Sequence, residues 1–130
     1  MHFFLLDAGG AYLGYMLGLI FLGLATLLEA IVLLVMKFNN AARCFLDALV
    51  VNLVSLVAGY LLIRFALPNS EISEGSGALQ DLGIMFVATM IVEGSLLMLL
   101  NRSKTAGRVW TAALVMNVVT YILLAIISLN

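Results

Sequence analysis

Four apolar runs of about twenty residues each leave this chain few ways to fold. At about 1.5 Å of rise per residue, a helix of that length crosses a hydrocarbon layer of about 30 Å. Of the 130 residues, 65% are hydrophobic and only 10% are charged, with a mean hydropathy of +1.21. A small globule buries only about two-thirds of the surface its unfolded chain exposes, so the remaining apolar surface calls for lipid. The expected fold is an all-α integral membrane protein with four transmembrane helices, at about 10–36, 42–67, 79–100 and 107–129.

The connections divide into two kinds. FNNAA and NRSKTA are short and read as hairpin turns. NSEISEGSGALQD is polar and rich in Gly and Ser, and it reads as an aqueous loop over 68–81. Pro68, the only proline, is expected to end the second helix because it lacks an N–H to donate. Lys37 and Arg43 flank the first turn, and Arg102, Lys104 and Arg108 the second, whereas the central loop carries Glu71, Glu74 and Asp81. The positive-inside rule then places both turns in the cytoplasm and the acidic loop and both termini outside. Arg64 is the exception and is expected to snorkel outward. Residues His2 to Leu6 lack a basic n-region and read as mature sequence lying in the interface, held by Phe3 and Phe4.

One phrase occurs twice. ALVVNLVS spans Ala48 to Ser55, and ALVMNVVT spans Ala113 to Thr120. Aligned through Asn52 and Asn117, Arg43 falls on Arg108, Phe45 on Trp110, Ser55 on Thr120 and Lys37 on Arg102. With one residue inserted upstream, Glu29 falls on Glu93. Charged and polar positions match as well as aliphatic ones, so the chain reads as a duplicated helical hairpin, residues 1–67 and 79–130. Both copies run the same way through the membrane, which makes them parallel repeats.

Depth gives the repeat its meaning. Glu29 precedes Lys37 by eight residues and so lies about 12 Å inside the boundary, and Asn52, nine residues after Arg43, lies about 13 Å inside. Glu93 and Asn117 reach the same level by the same count. The four form a polar intramembrane layer, with Thr26, Ser55, Thr89 and Thr120 one turn away as supporting groups. Gly10, Gly14 and Gly18 on the first helix and Gly59 on the second read as helix-packing positions, because small residues let backbones approach in lipid.

The structural reading makes Glu29–Asn52 and Glu93–Asn117 interhelical clips, since a protonated Glu donates and accepts as an amide does. Such bonds contribute on the order of 0.5–2 kcal/mol each and fix register. The alternative is a proton or cation pathway, because ionisable groups inside a membrane mark such routes. No nucleophile–base pair or phosphate-binding glycine loop is present, so no enzyme is expected. No cofactor or metal is expected either: His2 and Cys44 are each the only one of their kind. Cys44 reads as buried filler, and Asp47 as an i,i+4 partner of Arg43. A net charge of -1 argues against nucleic acid as a partner, because phosphate binding needs a basic face.

The pattern of a late Glu, a basic turn and then Ala48, Asn52, Ser55 and Gly59 resembles one found in small multi-pass bacterial membrane proteins. The resemblance implies a bacterial inner-membrane setting. The second copy departs from it, with Leu124 where the glycine would be. The expected role is non-catalytic: an accessory or scaffolding subunit, with the lipid bilayer and other membrane subunits, or a second copy of the chain, as partners. The alternative is a proton- or cation-coupled channel or transporter component using Glu29 and Glu93.

Overall fold

The computed structural model describes residues 2–61 and 76–128, with side-chain surroundings for residues 16–61, 83–123 and 126. It is all-helical: α1 His2–Val35, α2 Ala41–Leu61, α3 Ser76–Leu100 and α4 Ala106–Ser128. Each helix is long and apolar enough to cross a membrane. Large apolar side chains such as Leu17, Leu19, Leu56 and Leu99 stand exposed on the outside, more than an aqueous surface carries.

Two boundaries differ from expectation. α1 begins at His2, because no residue before Gly10 breaks a helix and two glycines in sequence do not suffice to stop one. α3 begins at Ser76, so the last residues assigned to the loop, 76–81, are helical. Pro68, Arg64, Glu71 and Glu74 lie outside the described residues, as do the side chains of Asp81, Phe3 and Phe4.

The turns are set by local chemistry. Phe38 N–H donates to Leu33 O at 2.8 Å and Lys37 N–H to Leu34 O at 2.9 Å, the paired bonds of a Schellman stop. Lys37 takes the left-handed position, φ 51°. Asn40 then caps α2: its Oδ1 accepts Arg43 N–H at 2.9 Å and its carbonyl accepts Cys44 N–H at 2.9 Å, the ordinary work of an N-cap asparagine. Thr105 stands in the same place before α4, its carbonyl accepting Val109 N–H at 3.1 Å.

The helices pack around a ring: α1 against α2 and α4, and α3 against α4 and α2. The backbones of the two diagonal pairs do not approach closely among the described residues. The tight core lies toward the turns, where Leu33, Phe38, Cys44, Val51, Leu97 and Met116 are fully buried. Lys104 Nζ sits 4.9 Å from the centre of the Phe38 ring, closing that end with a cation over an aromatic face.

One glycine carries a close approach. A Cβ on Gly94 would lie 2.5 Å from Cζ3 of Trp110, so the indole lies directly on the α3 backbone. Gly94→Ala is expected to cost about 1–3 kcal/mol by overpacking. Trp110→Phe in the same chain should restore most of that loss, as measured by unfolding in detergent or bicelles. At Gly18, by contrast, a Cβ would meet nothing within 4 Å, so the close backbone approach expected there is absent. At Gly59 it would meet only Met85 Cε at 3.8 Å, an ordinary contact. The surroundings of Gly10 and Gly14 lie outside the described residues.

Candidate functional site: a crosswise acid layer

Glu29 and Asn52 are both buried, and Asn52 Nδ2 donates to Glu29 Oε2. The orientation of this amide is dictated by its own helix. The same Nδ2 also donates to Ala48 O, one turn back, at 3.0 Å, so the nitrogen and not the oxygen faces the acid. Asn117 repeats the arrangement: its Nδ2 donates to Glu93 Oε2 at 2.7 Å and to Ala113 O at 3.0 Å.

The second partner of each acid comes from the other hairpin. Thr120 Oγ1, on α4, donates to Glu29 Oε1 at 3.0 Å. The Ser55 hydroxyl, on α2, hydrogen-bonds Glu93 on α3. Each carboxyl is therefore held by an amide from its own hairpin and a hydroxyl from the opposite one. A carboxylate has about four lone-pair sites, so each retains room for a further donor.

The expected supporting residues divide. Ser55 and Thr120 are direct partners of the acids. Thr89 instead donates to Met85 O at 2.7 Å and shares a hydrogen bond with Tyr121 OH at 3.2 Å. Thr26 is buried, and its hydroxyl has no partner among the described residues. Tyr121 was not anticipated. Its ring meets Phe86 edge-on at 5.1 Å, a geometry that aromatic quadrupoles favour.

A second polar cluster lies at the turn end. Asp47 is buried and takes Arg43 Nε at 3.0 Å in the expected i,i+4 ion pair. It also accepts Asn101 Nδ2 at 3.0 Å and Asn39 Nδ2 at 3.2 Å, while Asn39 Nδ2 donates to Asn101 Oδ1 at 2.7 Å. The two asparagines read as turn residues in the sequence. The clue to their role was Asp47 itself, a carboxylate on an apolar helix that must find donors when buried. Both arginines also reach across: Arg43 donates to Leu100 O at 3.0 Å, and Arg108 to Met36 O at 3.3 Å and Lys37 O at 2.6 Å. Each thus serves carbonyls that a helix C-terminus leaves without partners.

From the acid layer a cavity of about 460 Å³ extends away from the turns, bounded by all four helices. Its floor is Glu29, Glu93, Asn52 and Asn117, and its walls include Phe21, Leu56, Tyr60, Met85 and Tyr121. Gly18 lies on its wall, which explains the open space beside that glycine. The cavity does not continue past the floor, where the tight core begins. Among the described residues no group of three or more His, Cys, Asp or Glu could hold a metal ion.

Comparison with protein-family models, with curated proteins and with solved structures returned no match.

Proposed function

We propose that the chain is a non-catalytic, multi-pass membrane protein built from two parallel copies of one helical hairpin, acting as an accessory or scaffolding subunit of a larger membrane assembly. The observation that carries this reading is the reciprocity of the acid layer. Glu29 with Asn52 and Thr120 has the same chemistry as Glu93 with Asn117 and Ser55. Two hairpins related by an axis along the membrane normal would produce such a pair of matching sets. The arginines follow the same rule, each reaching the C-terminal carbonyls of the other hairpin's first helix. Buried positions also correspond: Cys44 with Val109, Ala48 with Ala113, Val51 with Met116 and Leu33 with Leu97. Ala30 and Phe45 stand where the second copy has Gly94 and Trp110, a smaller residue beside a larger ring.

In this reading the ionisable groups act as clasps between the hairpins. The five-residue turns at 36–40 and 101–105 leave little aqueous surface for recognition, so partners meet the protein within the bilayer. The basic residues around both turns favour a cytoplasmic position for that end, in keeping with a bacterial inner membrane.

A second reading, a proton- or cation-coupled transport component, is favoured by the cavity whose lining includes both acids. The fully buried core between the acids and the turns stands against an open path.

Flux separates the two. In proteoliposomes the wild type is expected to pass protons and alkali cations no faster than empty vesicles, with membrane yield unchanged in Glu29→Gln and Glu93→Gln. Flux in the wild type that disappears in the Gln variants at unchanged yield would replace the scaffold reading with the transport one. Orientation is read separately, by labelling Ser76→Cys in intact cells. Cys44, buried in the core, leaves the parent chain unlabelled. Label that enters only after the membrane is breached would reverse the topology.

A further inference from the structure

We propose that the cavity above the acid layer is a binding site for an amphiphilic organic cation, whose charged centre rests on Glu29 and Glu93 while its apolar body fills the space between the helices. The inference does not require the scaffold reading or the transport reading to hold.

Three observations converge on this ligand class. The volume of about 460 Å³ lies within the range of about 300–1,000 Å³ common to small-molecule sites. The lining has two carboxyls and, among the described residues, no basic side chain. The described arginines that could have neutralised the acids, Arg43 and Arg108, are committed to carbonyls at the turn end. Finally, Phe21, Tyr60 and Tyr121 stand on the walls, and aromatic faces together with carboxylates are what a weakly hydrated organic cation selects.

The floor suits this occupant better than it suits a small hard ion. Each acid is fixed by an amide that its own backbone holds in place, and each keeps lone pairs free for a further donor. A hard cation would need six or more oxygens closing around it, whereas above the floor the walls are mostly apolar. An apolar body with one positive centre satisfies both floor and walls. A neutral or anionic molecule of the same shape would offer the acids no positive centre to rest against.

Tetraphenylphosphonium and tetraphenylborate have matched shape and opposite charge, and so make the test. Equilibrium dialysis would use the full chain in phosphatidylcholine nanodiscs, with empty nanodiscs as reference. The phosphonium should bind saturably with one site per chain, and the borate should not exceed the reference. Glu29→Gln with Glu93→Gln should weaken the phosphonium about tenfold or more. Gly18→Leu should also abolish saturable binding by filling the cavity, since the space around that Cβ position is open to 4 Å. Phosphonium uptake equal to that of empty nanodiscs, saturable borate binding of equal strength, or phosphonium binding unchanged by Gly18→Leu would each overturn the proposal.

Discussion

Arg43→Met lowers the unfolding free energy by about 2–3 kcal/mol, whereas Arg108→Met lowers it by about 1 kcal/mol or less. The two arginines occupy matching sequence positions and both reach helix C-terminal carbonyls across the bundle. What separates them is Asp47. Removing Arg43 leaves a carboxylate that is only 1% exposed with two amides and no cation. Breaking a fully enclosed ion pair costs about 3–5 kcal/mol and breaking an exposed one about 0–1. Arg43 is 42% exposed, so water offsets part of the loss and the value falls between. Arg108 has no such dependant, because Ala112 stands where Asp47 stands in the first hairpin.

The sign of a double change follows. Asp47→Ala removes the stranded charge and leaves Asn39 and Asn101 bonded to one another. The chain carrying both Arg43→Met and Asp47→Ala should therefore be more stable than the one carrying Arg43→Met alone. Chemical or steric unfolding in bicelles reads all four proteins. Equal losses at Arg43 and Arg108, or a double variant weaker than Arg43→Met, would contradict the assignment.

At the acid layer the outcome depends on which atom replaces which. Glu29→Leu leaves the Asn52 amide and the Thr120 hydroxyl without their buried acceptor, at an expected cost of about 2–3 kcal/mol. Glu29→Gln is expected to cost under about 1 kcal/mol, because its carbonyl can take the Asn52 N–H while its amide donates to the Thr120 oxygen. A hydroxyl rotates to accept as readily as it donates. Thr120→Val removes that freedom. Glu29→Gln should thus become markedly more damaging in the Thr120→Val background, since the Gln amide would face an apolar methyl. The same contrast is expected for Glu93→Gln against Ser55→Ala. Membrane yield and unfolding free energy measure both series.

The helices were legible in the sequence because four uninterrupted apolar runs separated by polar turns admit no other regular structure in lipid. The level of the acids was legible too. Helical rise converts residue number into depth, and the basic turns supply a common origin, so Glu29 and Asn52 could be set at one height. What depth cannot supply is azimuth between hairpins. Ser55 and Thr120 share a face with the asparagines, yet each reaches the acid of the opposite hairpin. That follows only from how the four helices close into a ring.

Closure also decides the rest. Gly18 belongs to a small-residue stripe, but at its level the helices stand apart and it lines a cavity. Gly94 carries no pattern of its own and becomes necessary only when Trp110 lies across it. Asn39 and Asn101 resemble turn residues until Asp47 is seen buried between them. In each case the information lies in side-chain volume and donor count between segments far apart in the chain.

Reciprocal clasping of the hairpins is tested most directly by the coupling between Glu29 and Thr120, residues 91 apart in the chain and joined by one hydrogen bond. A double-mutant cycle with Glu29→Leu and Thr120→Val in bicelles should give a coupling energy of about 0.5–2 kcal/mol. Additive losses, with no coupling beyond error, would mean that the two hairpins are not held together through this layer.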